Sequence, residues 1–512
     1  MYTGRSGWRG GFRNLYASIR ALILLLMPVI SAHAQSYSTI APYQVGSFGT
    51  SGFGISGVAG ISDLDGDGFG DVVVGAPIED AGTPLIGDAG RCYVFSGHTG
   101  ERLQIIIAPI LHGFGEFGFA VTSLGDIDSD GAGDFAVSEP LGSAGYVHLI
   151  SGSERTVIRT LTYPPGGGGA FGLVLAPLED PMLGPVERLL IGAPYADGTT
   201  GLGYIYSVQT GEVLTTVHSP TPRSGGYFAY LGCVVPDLDG DGERDFAFRA
   251  NERNSEGNNT IPLHVFSGAT GLHLYTIYPS ADALYGGFAQ YITGVGDLDG
   301  DGSGDLVVTA YYQDTPGLPT SAGAAYVYSG ATGQLLYSLF SPRPTQSGTF
   351  GRGVLGLPDI TGDGFGDILV SAPQETPPGY PPHAGVSYIF SGHTGQLYRT
   401  IVSPRPRPLA IGDFGYTPTL LPDTSGDGRP DLLIFSQDGC DASCNQPARG
   451  YILHSCAADY NYDGVLNSQD FYDFIVAFFG GPISYSPDFN HDGAVNTQDF
   501  FDYFTAFLSG CP

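Results

Sequence analysis

DLDGDGFGDVVVGAP is the sequence from Asp63 to Pro77, and it contains the pattern that decides the fold. Its first nine residues, Asp-x-Asp-x-Asp-Gly-x-x-Asp, occur six times as this pattern or a near variant, with a period close to sixty residues. A unit that recurs at a fixed period indicates an array of similar structural modules. The six loops begin at Asp63, Asp126, Asp237, Asp297, Asp359 and Asp423, and a short apolar run follows each of them.

Each acidic loop brings several carboxylates into one small volume. Like charges about 4 Å apart repel by roughly 1 kcal/mol even in water, so a bound cation is needed to make the arrangement favourable. Oxygen ligands at positions 1, 3, 5 and 9, with a backbone carbonyl at position 7, suit a hard cation, and we expect Ca²⁺ rather than Mg²⁺. A solvated acidic hairpin is the alternative for any single copy, but six copies in register argue against it.

The predicted Ca²⁺ ligands are the residues at loop positions 1, 3, 5, 7 and 9. In chain order they are Asp63, Asp65, Asp67, Phe69 and Asp71; Asp126, Asp128, Asp130, Ala132 and Asp134; Asp237, Asp239, Asp241, Glu243 and Asp245; Asp297, Asp299, Asp301, Ser303 and Asp305; Asp359, Thr361, Asp363, Phe365 and Asp367; and Asp423, Ser425, Asp427, Arg429 and Asp431.

One further unit has kept the length of the loop and lost its ligands. Phe171 precedes Asp180 by the usual nine residues, but positions 3, 5 and 9 are Met182, Gly184 and Arg188. We expect the Arg188 guanidinium to take the place of the cation opposite Asp180.

The repeat unit predicts an all-β fold. A Phe-Gly or Phe-Ala pair begins each unit, the acidic loop and a buried apolar strand follow, and a Ser-Gly-x-Thr-Gly turn recurs before a strand that ends near proline. Four antiparallel strands in each of seven units describe a seven-bladed β-propeller. The seventh unit lacks its fourth strand, and we expect residues 37–42 from the other end of the chain to supply it and to close the ring.

The units resemble FG-GAP repeats, which form the propeller at the N-terminus of integrin α subunits. Phe117-Gly118, Phe350-Gly351 and Phe414-Gly415 match the first half of the motif, and Gly75-Ala76-Pro77 and Gly192-Ala193-Pro194 match the second. The resemblance implies that each acidic loop binds Ca²⁺ at the hairpin between the first two strands of its blade. It also implies a role in recognition at the cell surface.

A different pattern begins at Cys456. Two twelve-residue loops match the EF-hand spacing, with Asp in place of Glu at position 12, and an apolar helical segment follows each loop. The pair resembles dockerin type I modules, which implies a cohesin-like protein partner; a Ca²⁺-stabilised terminal cap without a partner is the alternative. The predicted ligands are Asp459, Asn461, Asp463, Val465, Asn467 and Asp470, and Asp488, Asn490, Asp492, Ala494, Asn496 and Asp499.

The chain therefore divides into a signal peptide at 1–34, a propeller at 35–455 and a small α-helical module with paired Ca²⁺ loops at 456–512. Residues 1–34 carry four arginines, an apolar stretch and an Ala-x-Ala cleavage site ending at Ala34, so we expect a secreted or cell-surface protein without a membrane span. Removing those four of twenty basic residues changes the formal charge from −31 to 16 − 51 = −35. Such a charge excludes nucleic acid as a partner.

The cysteines suit an exported protein. Cys456 and Cys511 bracket the terminal module and are candidates for a disulfide, and Cys440 and Cys444 are close enough in sequence for a local one. We expect Cys92 and Cys233 to be free thiols inside different blades.

No catalytic motif stands out in the sequence, so we expect a non-catalytic Ca²⁺-binding propeller that serves as an extracellular recognition or adhesion scaffold. Its ligand would be a protein or a glycan at the cell surface, and its terminal module would tether it. The alternative is a secreted lyase acting on acidic polysaccharides. Such an enzyme needs clustered cations to neutralise a uronate, and Arg405 with Arg407 is the one close pair in the sequence.

Overall fold

The computed structural model describes residues 33–34, 37–40, 52–54, 57–142, 145–164, 169–253, 259–280, 286–404, 413–426, 428–436, 448–454, 465–466, 468–479 and 497–509. The chain forms two compact units. Residues 37–453 form one, and the segments on either side of that range form the other.

The larger unit contains seven four-stranded antiparallel sheets among its described residues, as the repeat predicts. We number these sheets as blades 1 to 7. Their strands are Val58–Ile61, Asp71–Ala76, Arg91–Ser96 and Arg102–Ile106 in blade 1; Val121–Gly125, Asp134–Glu139, Tyr146–Ile150 and Val157–Thr162 in blade 2; Leu175–Pro177, Arg188–Ala193, Leu202–Ser207 and Val213–His218 in blade 3; Gly232–Val235, Asp245–Arg249, Leu263–Phe266 and His273–Ile277 in blade 4; Phe288–Val295, Asp305–Ala310, Ala324–Tyr328 and Leu335–Leu339 in blade 5; Gly353–Leu357, Asp367–Ala372, Val386–Ser391 and Leu397–Val402 in blade 6; and Tyr416–Leu421, Asp431–Ser436, Arg449–Leu453 and Tyr37–Ile40 in blade 7.

Closure of the ring follows the prediction. The strand Tyr37–Ile40 pairs antiparallel with Arg449–Leu453, with Tyr37 opposite Leu453 and Ile40 opposite Gly450. The first strands of successive blades contact one another in a complete circuit, which includes the step from blade 7 back to blade 1. A chain that supplies its own last strand in this way leaves no gap between its first and last blades.

The hydrophobic core lies between the blades. Seven apolar clusters of described residues each span one interface between neighbouring blades, including the interface of blade 7 with blade 1. The phenylalanine of each Phe-Gly or Phe-Ala pair is buried, and Phe53 packs edge-on against Tyr93, Phe95 and Phe435 with ring centroids 5.7 to 5.9 Å apart. These residues therefore hold each blade against the one before it.

Two glycines explain why the two halves of the motif occur together. Gly75 is the penultimate residue of the second strand of blade 1, and Gly118 follows the buried phenylalanine of blade 2 with φ +94°. A Cβ atom on Gly75 would lie 1.8 Å from the Gly118 carbonyl oxygen, so the contact between these backbones has no room for a side chain. Ala229 and Ala289, which replace the second glycine in blades 4 and 5, retain positive φ values of 62° and 54°.

The remaining elements are short. A two-stranded ribbon of Glu252–Arg253 and Asn259–Thr260 extends from blade 4, and a turn at Ala196–Thr199, in which Asp197, Gly198 and Thr199 have positive φ, follows the second strand of blade 3. The smaller unit contains the helices Ser468–Phe478 and Thr497–Ser509 and the paired strands His33–Ala34 and Val465–Leu466. The rest of the predicted signal peptide lies outside the described residues, and none of the helices that the structure describes is long and apolar enough to span a membrane.

Within the described residues, Cys92 and Cys233 are free cysteines, as predicted. Burial raises the pKa of both thiols, that of Cys233 to about 12, so neither is ionised near neutral pH. Cys440, Cys444, Cys456 and Cys511 lie outside the described residues, and their predicted disulfides remain predictions.

Candidate metal centres

The acidic loops occupy the hairpins between the first and second strands of their blades. The carboxylate at position 1 organises the turn: Asp63 accepts hydrogen bonds from Gly66 N at 2.6 Å and from Gly68 N at 2.8 Å. Gly68 has φ +91°, a conformation that few residues with side chains adopt. The same two bonds recur at Asp237, Asp297, Asp359 and Asp423.

Four loops gather three carboxylates each among the described residues. In each group one oxygen from every carboxylate lies within 4.8 Å of the others, a spacing at which a single cation can contact all three. The groups are Asp63, Asp65 and Asp71; Asp126, Asp128 and Asp134; Asp237, Asp239 and Asp241; and Asp297, Asp299 and Asp305.

The aspartate at position 9 is the buried member of its loop. Asp71 is fully buried and accepts hydrogen bonds from Leu64 N at 2.8 Å and from Gly97 N at 3.2 Å, so it joins the acidic hairpin to the Ser-Gly-x-Thr-Gly hairpin. Its burial, with smaller contributions from Asp65 and Asp67, raises the pKa of Asp71 to about 7. A divalent cation beside this carboxylate would favour its charged form. The same pair of hairpins is joined at Asp134, Asp245, Asp305 and Asp367.

The carboxylate at position 5 contacts the serine of the Ser-Gly-x-Thr-Gly turn. Ser391 Oγ donates to Asp363 Oδ2 at 2.7 Å. In blade 2, where the corresponding turn reads Ser-Gly-Ser-Glu-Arg, both Ser151 and Ser153 donate to Asp130. From the sequence, this turn is predicted only as a hairpin. Its recurrence 30 to 33 residues after the first Asp of the acidic loop, in blades 1, 4, 5 and 6, is the signal that could assign the serine to the site.

The loops of blades 6 and 7 differ from the other four. Position 3 holds a hydroxyl instead of a carboxylate, and Thr361 Oγ1 donates to Asp367 Oδ1 at 3.1 Å while Ser425 N donates to Asp423 Oδ1 at 3.0 Å. The described part of these two loops contains no group of three clustered carboxylates, and Asp427 lies outside it.

The degenerate loop of blade 3 is held by an arginine, but not in the predicted way. Arg188 Nε donates to Glu179 at 2.6 Å and a terminal guanidinium nitrogen donates to Glu243 of blade 4 at 2.6 Å. The expected pairing with Asp180 is therefore wrong, because the neighbouring acid Glu179 points at the arginine while Asp180 accepts from Met182 N. The arginine ties blade 3 to the loop of blade 4.

The terminal module is only partly described. Asp470 and Asp499, at position 12 of their loops, are both buried in the first turns of their helices. Phe474 and Tyr503 stack with centroids 3.9 Å apart and pack the two helices together. Val465 lies in a two-residue strand, and the other predicted ligands of both loops lie outside the described residues.

A second set of buried carboxylates lies away from the loops. Glu375, after the second strand of blade 6, accepts a hydrogen bond from Tyr388 Oη at 2.7 Å, and Glu79 accepts one from Tyr93 in blade 1. Burial raises the pKa of Glu375 to about 7, although hydrogen bonds from Ser341 and Tyr388 oppose the rise.

This shift predicts a pH-dependent stability. Because the folded pKa of Glu375 lies above the ordinary 4.5, its contribution is fully present below pH 4.5 and is lost as the pH rises through about 7. Glu375→Gln removes this titration, so the variant should gain up to about 3 kcal/mol relative to the parent protein between pH 4.5 and 8. Urea unfolding of both proteins in saturating Ca²⁺ measures the difference. Parallel pH profiles would show that Glu375 titrates normally.

Comparison with known proteins agrees with this architecture. The FG-GAP repeat family matches residues 53–95, 289–328 and 350–390. Integrin alpha-PS2 of Drosophila melanogaster is 33% identical over 258 residues, covering 47% of this chain and 18% of that protein. Integrin alpha-PS5 of Drosophila melanogaster is 37% identical over 165 residues, covering 30% and 16%, and integrin alpha-IIb of Mus musculus is 30% identical over 178 residues, covering 31% and 17%.

The chain thus spans less than a fifth of the length of each of these relatives. The matched FG-GAP segments begin at or beside the buried phenylalanines of blades 1, 5 and 6 and end in the third strands of the same blades. The ring of four-stranded sheets described above is therefore a β-propeller that contains three segments matching the FG-GAP repeat and is similar in sequence to integrin alpha subunits over part of its length.

Proposed function

We propose that this chain is a secreted, non-catalytic protein whose Ca²⁺-binding propeller serves as an extracellular scaffold for recognition and adhesion. The observation that carries the proposal is the recurrence of a cluster of three carboxylates in the same hairpin of blades 1, 2, 4 and 5 of a closed ring. A catalytic centre is normally built once, from residues with different roles. Four similar clusters, each placed at a hairpin, suit a structural task instead.

Ca²⁺ is the cation that best fits the donor set. The side chains at positions 1, 3, 5 and 9 supply only oxygen atoms, and Ca²⁺ accepts crowded and irregular oxygen ligands more readily than Mg²⁺ does. In the first loop these would be Asp63, Asp65, Asp67 and Asp71, with the Phe69 carbonyl as a fifth ligand. Thr361 and Ser425 would provide neutral oxygens in blades 6 and 7, so we expect weaker binding there. Bound Ca²⁺ would offset the repulsion within each hairpin.

The terminal module would tether the scaffold to a partner protein. Tyr472 and Phe501 occupy matching positions two residues after Asp470 and Asp499, and both are exposed, at 47% and 60%. Large aromatic side chains on a helix surface are common anchors in protein interfaces. A cohesin-like protein is the partner that the dockerin resemblance suggests. After cleavage of the signal peptide near Ala34, the module would hold the secreted propeller at the cell surface.

The test uses the chain without residues 1–34 and envelope fractions of the source cells. We expect retention on the envelope in millimolar Ca²⁺ and release by a chelator. A variant with Asp63, Asp126, Asp237 and Asp297 changed to Asn should bind weakly. A control with three exposed carboxylates on hairpins changed, Glu101→Gln, Glu154→Gln and Glu212→Gln, should bind like the parent protein.

Two results would count against the proposal. Equal retention with and without Ca²⁺ would show that recognition does not depend on Ca²⁺ bound in the acidic loops. Turnover of an acidic polysaccharide that disappears in the Asp→Asn variant and persists in the Glu→Gln control would favour the lyase alternative. Tyr472→Ala combined with Phe501→Ala separates tethering from recognition, since it should weaken retention on the partner and leave the Ca²⁺ response of the propeller intact.

A further inference from the structure

A small cavity lies between blades 3 and 4, at the end of the strands opposite to the acidic loops. Its volume is about 180 Å³. Tyr195 comes directly after the Gly-Ala-Pro segment of blade 3, and Tyr227 and Tyr230 flank the Phe-Ala pair of blade 4. Arg249 and Asn251, from the end of the second strand of blade 4, complete the polar lining.

Arg249 is the unusual residue of this cavity. Its side chain is 9% exposed, and with the Gln290 amide oriented so that its oxygen faces the guanidinium, that oxygen accepts from both terminal nitrogens, at 2.9 and 3.3 Å. Nε has no hydrogen-bond partner among the described residues, and no carboxylate of those residues forms an ion pair with the guanidinium. Burial lowers the pKa of Arg249 accordingly.

Burying a cation without a counter-charge costs free energy, and an anionic ligand would supply the negative charge that the protein does not place beside Arg249. The lack of a carboxylate partner for Arg249 does not reflect a shortage of acids, because the chain has 51 acidic residues and only 20 basic ones. The nearest neutral partner, Gln290, fixes the guanidinium without neutralising it. The cavity is therefore suited to a ligand that carries a negative charge.

The tyrosines define the rest of the ligand. Tyr195 and Tyr227 pack edge to face with centroids 5.5 Å apart, and Tyr195 and Tyr230 are 43% and 40% exposed at the opening. Backbone hydrogen bonds fix the walls, from Tyr195 N to Gly169 O at 3.0 Å and from Asn251 N to Gly226 O at 2.6 Å. Such rigid, amphipathic ring faces provide contact area at a small cost in conformational entropy.

We propose that this cavity binds the ring of a hexuronate, a carboxylate-bearing sugar residue of an acidic polysaccharide, with the carboxylate on Arg249 and the sugar ring against the tyrosines. The assignment rests on the proposed recognition function and specifies its ligand. A volume of 180 Å³ is below the roughly 300 Å³ at which pockets for drug-sized ligands begin, so it fits one ring. Asn251 would hydrogen-bond the ring hydroxyls.

A second cationic residue lies further around the same rim. Arg352 of blade 6 lies over the rings of Tyr311 and Tyr416, 5.4 and 5.0 Å from their centroids. Its Nε also has no partner among the described residues. A polymer with one carboxylate on every sugar could engage both arginines, so an oligouronate should bind more tightly than a single hexuronate.

The experiment is calorimetric titration of the chain without residues 1–34, in Ca²⁺, with galacturonate, trigalacturonate, galactose and acetate. We expect the uronates to bind. Galactose and acetate should each bind at least about tenfold more weakly than galacturonate, because galactose lacks the carboxylate and acetate lacks the sugar ring. Arg249→Gln and Tyr195→Ala should each weaken trigalacturonate binding about tenfold or more. Arg102→Gln makes the same change of charge at an exposed position of blade 1 and should have no effect.

Three outcomes would overturn the assignment. Equal affinities for acetate and galacturonate would indicate a general anion site, unchanged binding by Tyr195→Ala and Arg249→Gln would place the ligand elsewhere, and no binding of either uronate would exclude this ligand. Because each variant is first melted with and without Ca²⁺, loss of folding is recognised separately. A protein that responds normally to Ca²⁺ and binds no uronate would contradict this inference and leave the proposed scaffold intact.

Discussion

Removing Ca²⁺ is expected to lower the thermal unfolding midpoint of this protein by on the order of 10 °C. Extracellular Ca²⁺ sites with a Kd near 0.1 mM contribute about 1.4 kcal/mol each at about 1 mM Ca²⁺. Six propeller loops would together contribute at most ~8 kcal/mol. Without the cation, repulsion among the carboxylates clustered in one loop, such as those of Asp63, Asp65 and Asp71, opposes folding. Calorimetric scans in Ca²⁺ and in a chelator measure the shift.

Blade 3 provides the control for that experiment within the same molecule. Asp63→Asn should remove part of the Ca²⁺-dependent stabilisation, because it weakens one clustered site. Asp180→Asn changes the same residue type in the loop held by Arg188, and its Ca²⁺-dependent shift should equal that of the parent protein. A midpoint that is insensitive to the chelator would count against the metal assignment in every loop.

Gly75→Ala is expected to destabilise the propeller by more than about 3 kcal/mol, or to prevent soluble expression. The added Cβ would lie 1.8 Å from the Gly118 carbonyl oxygen and 2.8 Å from its carbonyl carbon. Both atoms belong to the backbone of the next blade, beside the buried Phe117, so no side-chain rotation can relieve the clash. The blades would have to separate, which would expose the apolar cluster between them. Urea unfolding of the two proteins gives the difference.

Gly184→Ala is the matched control for this variant. Gly184 lies in the degenerate loop of blade 3, has no positive φ, and an added Cβ would meet nothing within 4 Å. Its stability should change by less than about 0.5 kcal/mol. If Gly75→Ala unfolded at the same denaturant concentration as Gly184→Ala, the close approach between blades 1 and 2 would not be a requirement of the fold.

The repeat made most of the propeller predictable. The period fixed the number of blades, and the missing strand after residue 453 together with the surplus strand at Tyr37–Ile40 identified the closure. Both inferences require only a count of the repeats in the sequence, and neither requires knowledge of which residues contact one another across blades. The phenylalanines lie at a nearly constant position before the acidic loop, which marks the start of each unit, but only the structure shows that they are buried between blades.

Contacts between units were harder to predict. Arg188 and Asp180 belong to one loop, so the sequence predicts that they face each other, but the second partner of Arg188, Glu243, belongs to the next blade. The cavity around Arg249 is likewise formed by residues of different units, so no pattern within one unit predicts it. Tyr195 and Tyr230 are separated by 35 positions and lie in different units, and only the packing of blade 3 against blade 4 brings them to one opening.

The most direct test of the account is a calcium anomalous-difference map from crystals grown in millimolar Ca²⁺. We predict peaks within the hairpins that begin at Asp63, Asp126, Asp237 and Asp297, weaker peaks at Asp359 and Asp423, and none in the Asp180 loop. Hairpins without peaks at the four carboxylate clusters, in crystals that show Ca²⁺ elsewhere, would contradict the central claim that these loops bind Ca²⁺.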